Sequence, residues 1–265
     1  TTVCMALFED IFLFIIIRFF AGVSSAFVLI FGTSLILPSI QALGKSSLST
    51  AHFMGVGFGI LLSSILIALL GSLEFIWSDL WLGVTILALL LAIPVFIFTP
   101  NPVVTNETTK KFNTSTKLGF NLITFSYGLY GFGYVVLGTF ISTMARDTSG
   151  LESTETYVWL LVGLAGIPMV IFWPWFGKKI GNDLALFLAC LIMGIGILMP
   201  VIVDHKLGII FAAILLGGTF IPITALAFLE GQSRYKGSIR VSTAILTSSF
   251  SIGQMVGPYF GGILI

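Results

Sequence analysis

A guanidinium inside an otherwise uncharged stretch needs a chemical reason. Arg18 lies within the apolar run Ile11–Leu37, about six residues to one side of its midpoint. A charge at the centre of hydrocarbon costs at least about 2.5–3.5 kcal/mol unless it is paired or wetted. Arginine also stays protonated in proteins, so it can grip an anion or tune a proton carrier but cannot itself be one. The competing reading is snorkelling, with the head reaching the headgroups while the stem stays in lipid. Tyr127, Tyr130 and Tyr134 fall at i, i+3 and i+7, which puts three phenols within about 60 degrees of one helix face. They suit either the wall of a polar cavity or a packed aromatic face whose hydroxyls bond to neighbouring backbone. Further on, Thr243, Thr247, Ser251 and Gln254 make a polar stripe, and Gly253, Gly257 and Gly261 lie about a quarter-turn round the same helix. The glycines let another backbone approach closely, whereas the stripe either lines water or bonds across helices. His52 and His205 have no second ligand at metal spacing, so both are read as solvated and no metal site is expected.

The elements that hold these residues follow from composition. Of 265 residues, 57% are apolar and 9% charged, and mean hydropathy is +1.11. Soluble domains carry roughly 25% charge, so this is not an ordinary soluble protein. The net charge of +1 leaves no footprint for nucleic acid, and Cys4 and Cys190 are too far apart in sequence to form a CxxC metal site or a disulfide scaffold. The apolar residues fall in blocks of about 20, the length that crosses a bilayer as a helix. Eight spans are expected: Ile11–Leu37, Phe53–Gly71, Leu80–Thr99, Phe120–Ala145, Tyr157–Phe176, Leu184–Val203, Gly208–Leu229 and Ser242–Ile265. They are continuously apolar and lack the period-two alternation of barrel strands, so the fold class is all-α. Pro94, Pro168 and Pro222 then fall inside helices, and Trp77, Trp81, Trp159, Trp173 and Trp175 sit near span ends as an interfacial belt.

Alternate loops differ sharply in basic residues. Lys45, Lys110, Lys111, Lys117, Lys178, Lys179, Arg234, Lys236 and Arg240 fall on one side, and only Arg146 and Lys206 on the other. Cytoplasmic loops retain positive charge, so the first set faces the cytoplasm and both chain ends face outward. The sequons at Asn106 and Asn113 lie in a cytoplasmic loop on this scheme and are read as chance matches. An outward N-terminus without a signal peptide implies an odd number of spans upstream, so the sequence is expected to be an internal piece.

A repeat supports this reading. The ladder Gly55-Gly59-Ser63 of the second span matches Gly253-Gly257-Gly261 of the eighth, which gives a period of six helices. Residues 1–99 would then be the last three helices of one six-helix bundle, 100–119 a cytoplasmic linker, and 120–265 the first five helices of a second bundle.

On these features the chain resembles the major facilitator superfamily, in its YbfB/YjiJ-like branch, over nearly its whole length. Arg18-Phe-Phe-Ala-Gly22-Val-Ser-Ser-Ala26 is similar to the family's fourth-helix pattern R-x-x-x-G-x-x-x-A, whose arginine is implicated in proton transfer. Gly253-x-x-x-Gly257-Pro258-x-x-Gly261-Gly262 looks like its G-x-x-x-G-P-x-x-G-G packing motif, and Tyr127 to Tyr134 resemble the branch's seventh helix. Of the family's G-x-x-x-D-R-x-G-R loop only Lys179-Ile180-Gly181 remains, with Pro174 in place of the first glycine and Lys178 in place of the acid.

The resemblance implies eight helices, the fourth to the eleventh, of a twelve-helix transporter. It implies alternating access around a midplane site, a small-molecule solute, protons as the coupling ion, a monomer in the cell membrane and no cofactor. Arg18, Tyr127, Tyr130, Tyr134, Thr247, Ser251 and Gln254 are the substrate and coupling candidates, with Gly55, Gly59, Gly253, Gly257 and Gly261 as helix-packing positions. A channel or non-transporting sensor is the alternative. An intramembrane enzyme has the least support, because the spans hold no His, Asp or Glu near their middles and no G-x-S-x-G or H-E-x-x-H.

Overall fold

A computed structural model describes residues 1–42, 50–98, 114–148, 150–151, 155–203, 206–235 and 237–264. Those residues form helices joined by turns, with no strand among them. A short α1 (Thr2–Leu7) precedes eight long helices: α2 (Ile11–Ala42), α3 (Met54–Ser72), α4 (Trp77–Phe98), α5 (Thr114–Asp147), α6 (Glu155–Ile180), α7 (Asn182–Ile202), α8 (Lys206–Arg234) and α9 (Ile239–Leu264). Each long helix overlaps one expected span. Local chemistry sets several boundaries. The Asp10 carboxylate accepts hydrogen bonds from the amides of Phe12 and Leu13 at 2.9 and 3.1 Å and caps α2. Gly181, at φ +94°, breaks the chain between α6 and α7 in a conformation that costs glycine little. Pro94, Pro168 and Pro222 do lie inside helices, as do Pro174, Pro200 and Pro258.

Seven of the eight are long and apolar enough to cross a membrane. The exception is α9, whose hydroxyls and Gln254 lower its hydropathy although it spans 26 residues. Helices also run past the expected ends. Helix α5 starts at Thr114, inside the segment read as linker, and α8 continues to Arg234, so Glu230 lies within a helix rather than beyond it. Lys45, Lys110, Lys111, Asn106, Asn113, Glu152, His205, Lys236 and Ile265 lie outside the described residues.

The core is built round α8, buried along two-thirds of its apolar length. Helices α5, α6, α7 and α9 lie against it, α3 lies along α6, and α2 touches α9. Close approach is backbone to backbone at several points. A methyl group added to Gly163 would lie 2.7 Å from the Leu61 amide nitrogen and 3.0 Å from the Gly57 carbonyl oxygen, so α3 and α6 touch where neither has a side chain. Helices α2 and α4 keep most of their Phe, Leu and Ile side chains exposed, a surface matched to lipid.

Candidate functional site

The three tyrosines of α5 form a stack rather than a row of free phenols. Phe250 of α9 wedges against all of them, with ring centroids 4.8 Å from Tyr127, 5.7 Å from Tyr130 and 5.4 Å from Tyr134. Phe220 of α8 lies nearly parallel to Tyr134 at 5.8 Å. Offset parallel rings at these distances are favourable beyond the area they bury. Two hydroxyls turn into the protein: Tyr127 donates to Thr224 Oγ1 at 3.1 Å and Tyr130 to the Phe220 carbonyl at 2.8 Å. Both residues are buried. The third hydroxyl differs. Gln254 Nε2 donates to the Tyr134 oxygen at 2.5 Å, joining two candidates 120 residues apart and leaving the phenolic proton available to another acceptor. Of the remaining stripe, Thr243 and Thr247 are buried and Ser251 is half-buried.

Glycines make this assembly possible. A Cβ on Gly253 would meet the Gly128 carbonyl and lie 2.7 Å from the Phe132 amide, and one on Gly257 would meet the Phe132 carbonyl. On α5, Gly128 and Gly131 face Ser249 and Phe250 in the same way. Gly261 looks onto the side chains of Phe140 and Val136 at 3.2 and 3.3 Å. The two α3 positions expected to be packing glycines behave otherwise. No described atom beyond their own helix lies within 4 Å of a Cβ on Gly55 or Gly59, and the close contact is made by Gly57 instead. Both registers of α3 carry small residues, so spacing alone points to the wrong face.

Arg18 is exposed on α2, with its guanidinium carbon 5.4 Å from the centroid of Trp81 on α4. Among the described residues no carboxylate pairs with it. A cation over an indole face is stabilised modestly when solvated and more when dry.

Helices α3, α5 and α6 line an open cleft of about 310 Å³ that sequence reasoning missed. Ser63 and Ser64 of α3, Ser142 and Arg146 of α5, and Thr156 and Trp159 of α6 line it together with Glu155. The Trp159 indole donates to Ser142 Oγ at 2.9 Å, which fixes the ring and leaves the serine proton free. Arg146 holds Glu155 through Nε at 2.8 Å and Nη2 at 2.7 Å, both to Oε2, so Oε1 and the other guanidinium donors can meet a ligand. At the opposite end of the bundle Arg234 bridges both oxygens of Asp183 at 2.5 and 2.6 Å and reaches Glu230 at 3.3 Å, tying α8 to the start of α7. Lys179 caps the Trp175 ring at 3.9 Å. Trp173, expected in the interfacial belt, is buried and donates to the Gly218 carbonyl at 3.0 Å. His52, expected to be solvated, is half-buried: its ring lies 4.0 Å from that of Phe53, tilted by 36°, and its Nε2 is 3.4 Å from Thr33 Oγ1. Among the described residues no three His, Cys, Asp or Glu side chains gather at metal-binding distance.

None of the curated proteins matches this chain. The family model described as "Uncharacterised MFS-type transporter YbfB" does, over residues 1–265. Seven membrane-length apolar helices agree with that match, and the chain belongs to this family of multi-pass membrane transporters of the major facilitator superfamily.

Proposed function

We propose that the chain works as a secondary active transporter in the cell membrane, moving a small organic solute by alternating access and coupling it to protons. The observation that carries this reading is the cavity between α3, α5 and α6. At about 310 Å³ it is at the lower end of small-molecule sites, and it combines an indole wall with hydroxyls and one ion pair. Its helices come from both sides of the proposed division into residues 1–99 and 120–265, joined through the linker at 100–119. Transporter sites form at such junctions. By the distribution of basic loops, Arg146 and Glu155 mark the outer mouth, and Ser63 and Ser64 lie deeper.

Outside the lining of that cavity, Tyr134 and Gln254 supply a second polar site between α5 and α9, with Ser251 and Thr247 on the same face of α9, and Tyr127 and Tyr130 hold it rigid. Arg18 serves as the fixed cation of the coupling site. Uncharged donors suit a neutral or weakly charged solute, and the pair at the mouth offers an anchor for a carboxylate or an ammonium group.

A library of small metabolites screened by thermal shift on the purified full chain should find a stabilising solute, since a ligand at 100 times its Kd adds about 2.7 kcal/mol. That solute should accumulate in proteoliposomes under an imposed pH gradient, and Trp159→Leu should raise its apparent KM. Equilibration of the solute without accumulation would make the protein a channel and overturn the proposal.

A further inference from the structure

Many serine and threonine hydroxyls among the described residues bond to their own helix. Ser24, Ser63, Ser72, Thr85, Thr124, Thr219 and Ser233 each donate to the carbonyl three or four residues back. On α9, Ser249 crosses to α5 instead and donates to the Thr124 carbonyl at 2.7 Å. Among the described residues three fully buried hydroxyls do neither. Ser242, Thr243 and Thr247 are 1%, 0% and 7% exposed, and none of the three has a hydrogen-bond partner among the described residues. A buried hydroxyl left unmade loses its hydration and gains nothing in return, and three together would use up a large share of a protein's small net stability. Buried polar groups that lack protein partners are the usual seats of internal water.

Their arrangement gives such water a direction. Thr243, Thr247, Ser251 and Gln254 lie within about 80 degrees of one face of α9. At 1.5 Å per residue they climb about 16 Å, close to half the thickness of a bilayer core. The stripe ends where Gln254 meets the Tyr134 hydroxyl. At its other end Ser242 shares a helix face with Ile245 and Ser249, which line a cavity of about 650 Å³ together with Asn121, Thr124 and Tyr235. Ser242 is not itself in that lining and lies about 100 degrees round the helix from Thr243, so water from the cavity would reach the stripe by passing from Ser242 to the adjacent Thr243, and the stripe has a polar terminus beyond its last hydroxyl.

We propose that α9 holds a file of internal water, seated on Ser242, Thr243 and Thr247 and leading from the cavity beside Tyr235 to the Gln254–Tyr134 pair. It is a hydrated half-path from one membrane surface to mid-depth. It follows from the hydroxyls alone and stands whether or not the protein accumulates a solute.

Radiolytic hydroxyl-radical labelling of the full chain in nanodiscs, in water enriched in oxygen-18, tests it. Phe250 is half-buried among the tyrosines and sits one turn from Thr247, so its modification rate should depend on the Thr247 hydroxyl rather than on its own partial exposure. Thr247→Val should lower that rate several-fold and reduce the melting temperature, and Thr243→Val should do the same. Thr247→Ser, which keeps the hydroxyl, should restore both. A dry site gives the opposite: no labelling of Phe250 in the wild type, or a valine variant that melts higher because an orphaned hydroxyl has been removed. Either result overturns the water file. The solute-flux experiment is untouched by both, so the two proposals fail independently.

Discussion

Replacing Gly253 by alanine adds one methyl group at one of the tightest seams among the described residues. That methyl would lie 2.7 Å from the Phe132 amide nitrogen, with the Gly128 carbonyl closer still, whereas ordinary contact begins at 3.4 Å. Helices α5 and α9 would have to part by about 0.7 Å or more. Because both offending groups are backbone, no rotamer change can relieve the clash. Overpacking of this kind costs about 1–3 kcal/mol, and the upper end applies when nothing can yield. Alanine returns about 1 kcal/mol through its better helix propensity. The net loss is about 2 kcal/mol, a fall of about 4–8 °C in melting temperature for a chain of this size. The same shift stretches the 2.5 Å bond from Gln254 to Tyr134.

Two controls separate packing from propensity. Gly194 on α7 has no described neighbour within 4 Å of an added Cβ, so Gly194→Ala should raise the melting temperature by about 2–4 °C. Gly261→Ala meets only the movable side chains of Phe140 and Val136 and should be near neutral. The assay is the fraction of monodisperse protein surviving a heating series in one detergent, measured by gel filtration. A Gly253→Ala protein that melts at or above wild type, beside a Gly194→Ala protein that behaves as expected, would refute the α5–α9 seam.

Arg234→Gln leaves Glu230 half-buried beside an uncharged partner and cuts the tie to Asp183. Since the Asp183 contact is largely exposed, most of an expected loss of about 1 kcal/mol comes from Glu230, and equal melting points for Arg234→Gln and wild type in low salt would count against the network. Tyr130→Phe should lose about 1 kcal/mol with its bond to the Phe220 carbonyl while sparing apparent solute affinity, whereas Tyr134→Phe should change affinity more than melting temperature. Arg18→Ala should abolish or uncouple transport with membrane abundance kept, and Arg18→Lys should not restore it because the planar fork is gone; normal flux in the alanine variant would reduce Arg18 to a snorkelling residue. Single cysteines at Lys111 and Lys236 should resist an impermeant thiol reagent applied to intact cells while one at Glu152 reacts, and the reverse pattern would invert the topology.

A membrane sequence tells which segments are helical far better than which faces meet. The eight long helices were legible because about 20 apolar residues in a row have few other uses, and the breaks at Gly181 and Asp10 mark ends by simple chemistry. The α3 register was not legible. Gly55 and Gly57 lie on nearly opposite faces, both belong to small-residue series, and only the presence of Gly163 opposite selects the second. Lipid and protein interior are equally apolar, so no polarity contrast points inward along α3 or α6.

The cavity was hidden for a related reason. Arg146 and Glu155 sit in terminal helical turns that a hydropathy reading assigns to loops, and the pair exists only because α5 and α6 continue past the expected ends at Ala145 and Tyr157. Helix α9 is the instructive opposite. It alone of the long helices lacks a strongly apolar stretch of membrane length, and for that reason its polar stripe was legible in the sequence. A span that departs from uniform apolarity gives up insertion energy at each hydroxyl, and that loss is sustained only where other protein or bound water meets the polar group. Along α9 protein meets some of these groups, at Ser249 and Gln254, and leaves Ser242, Thr243 and Thr247 to water.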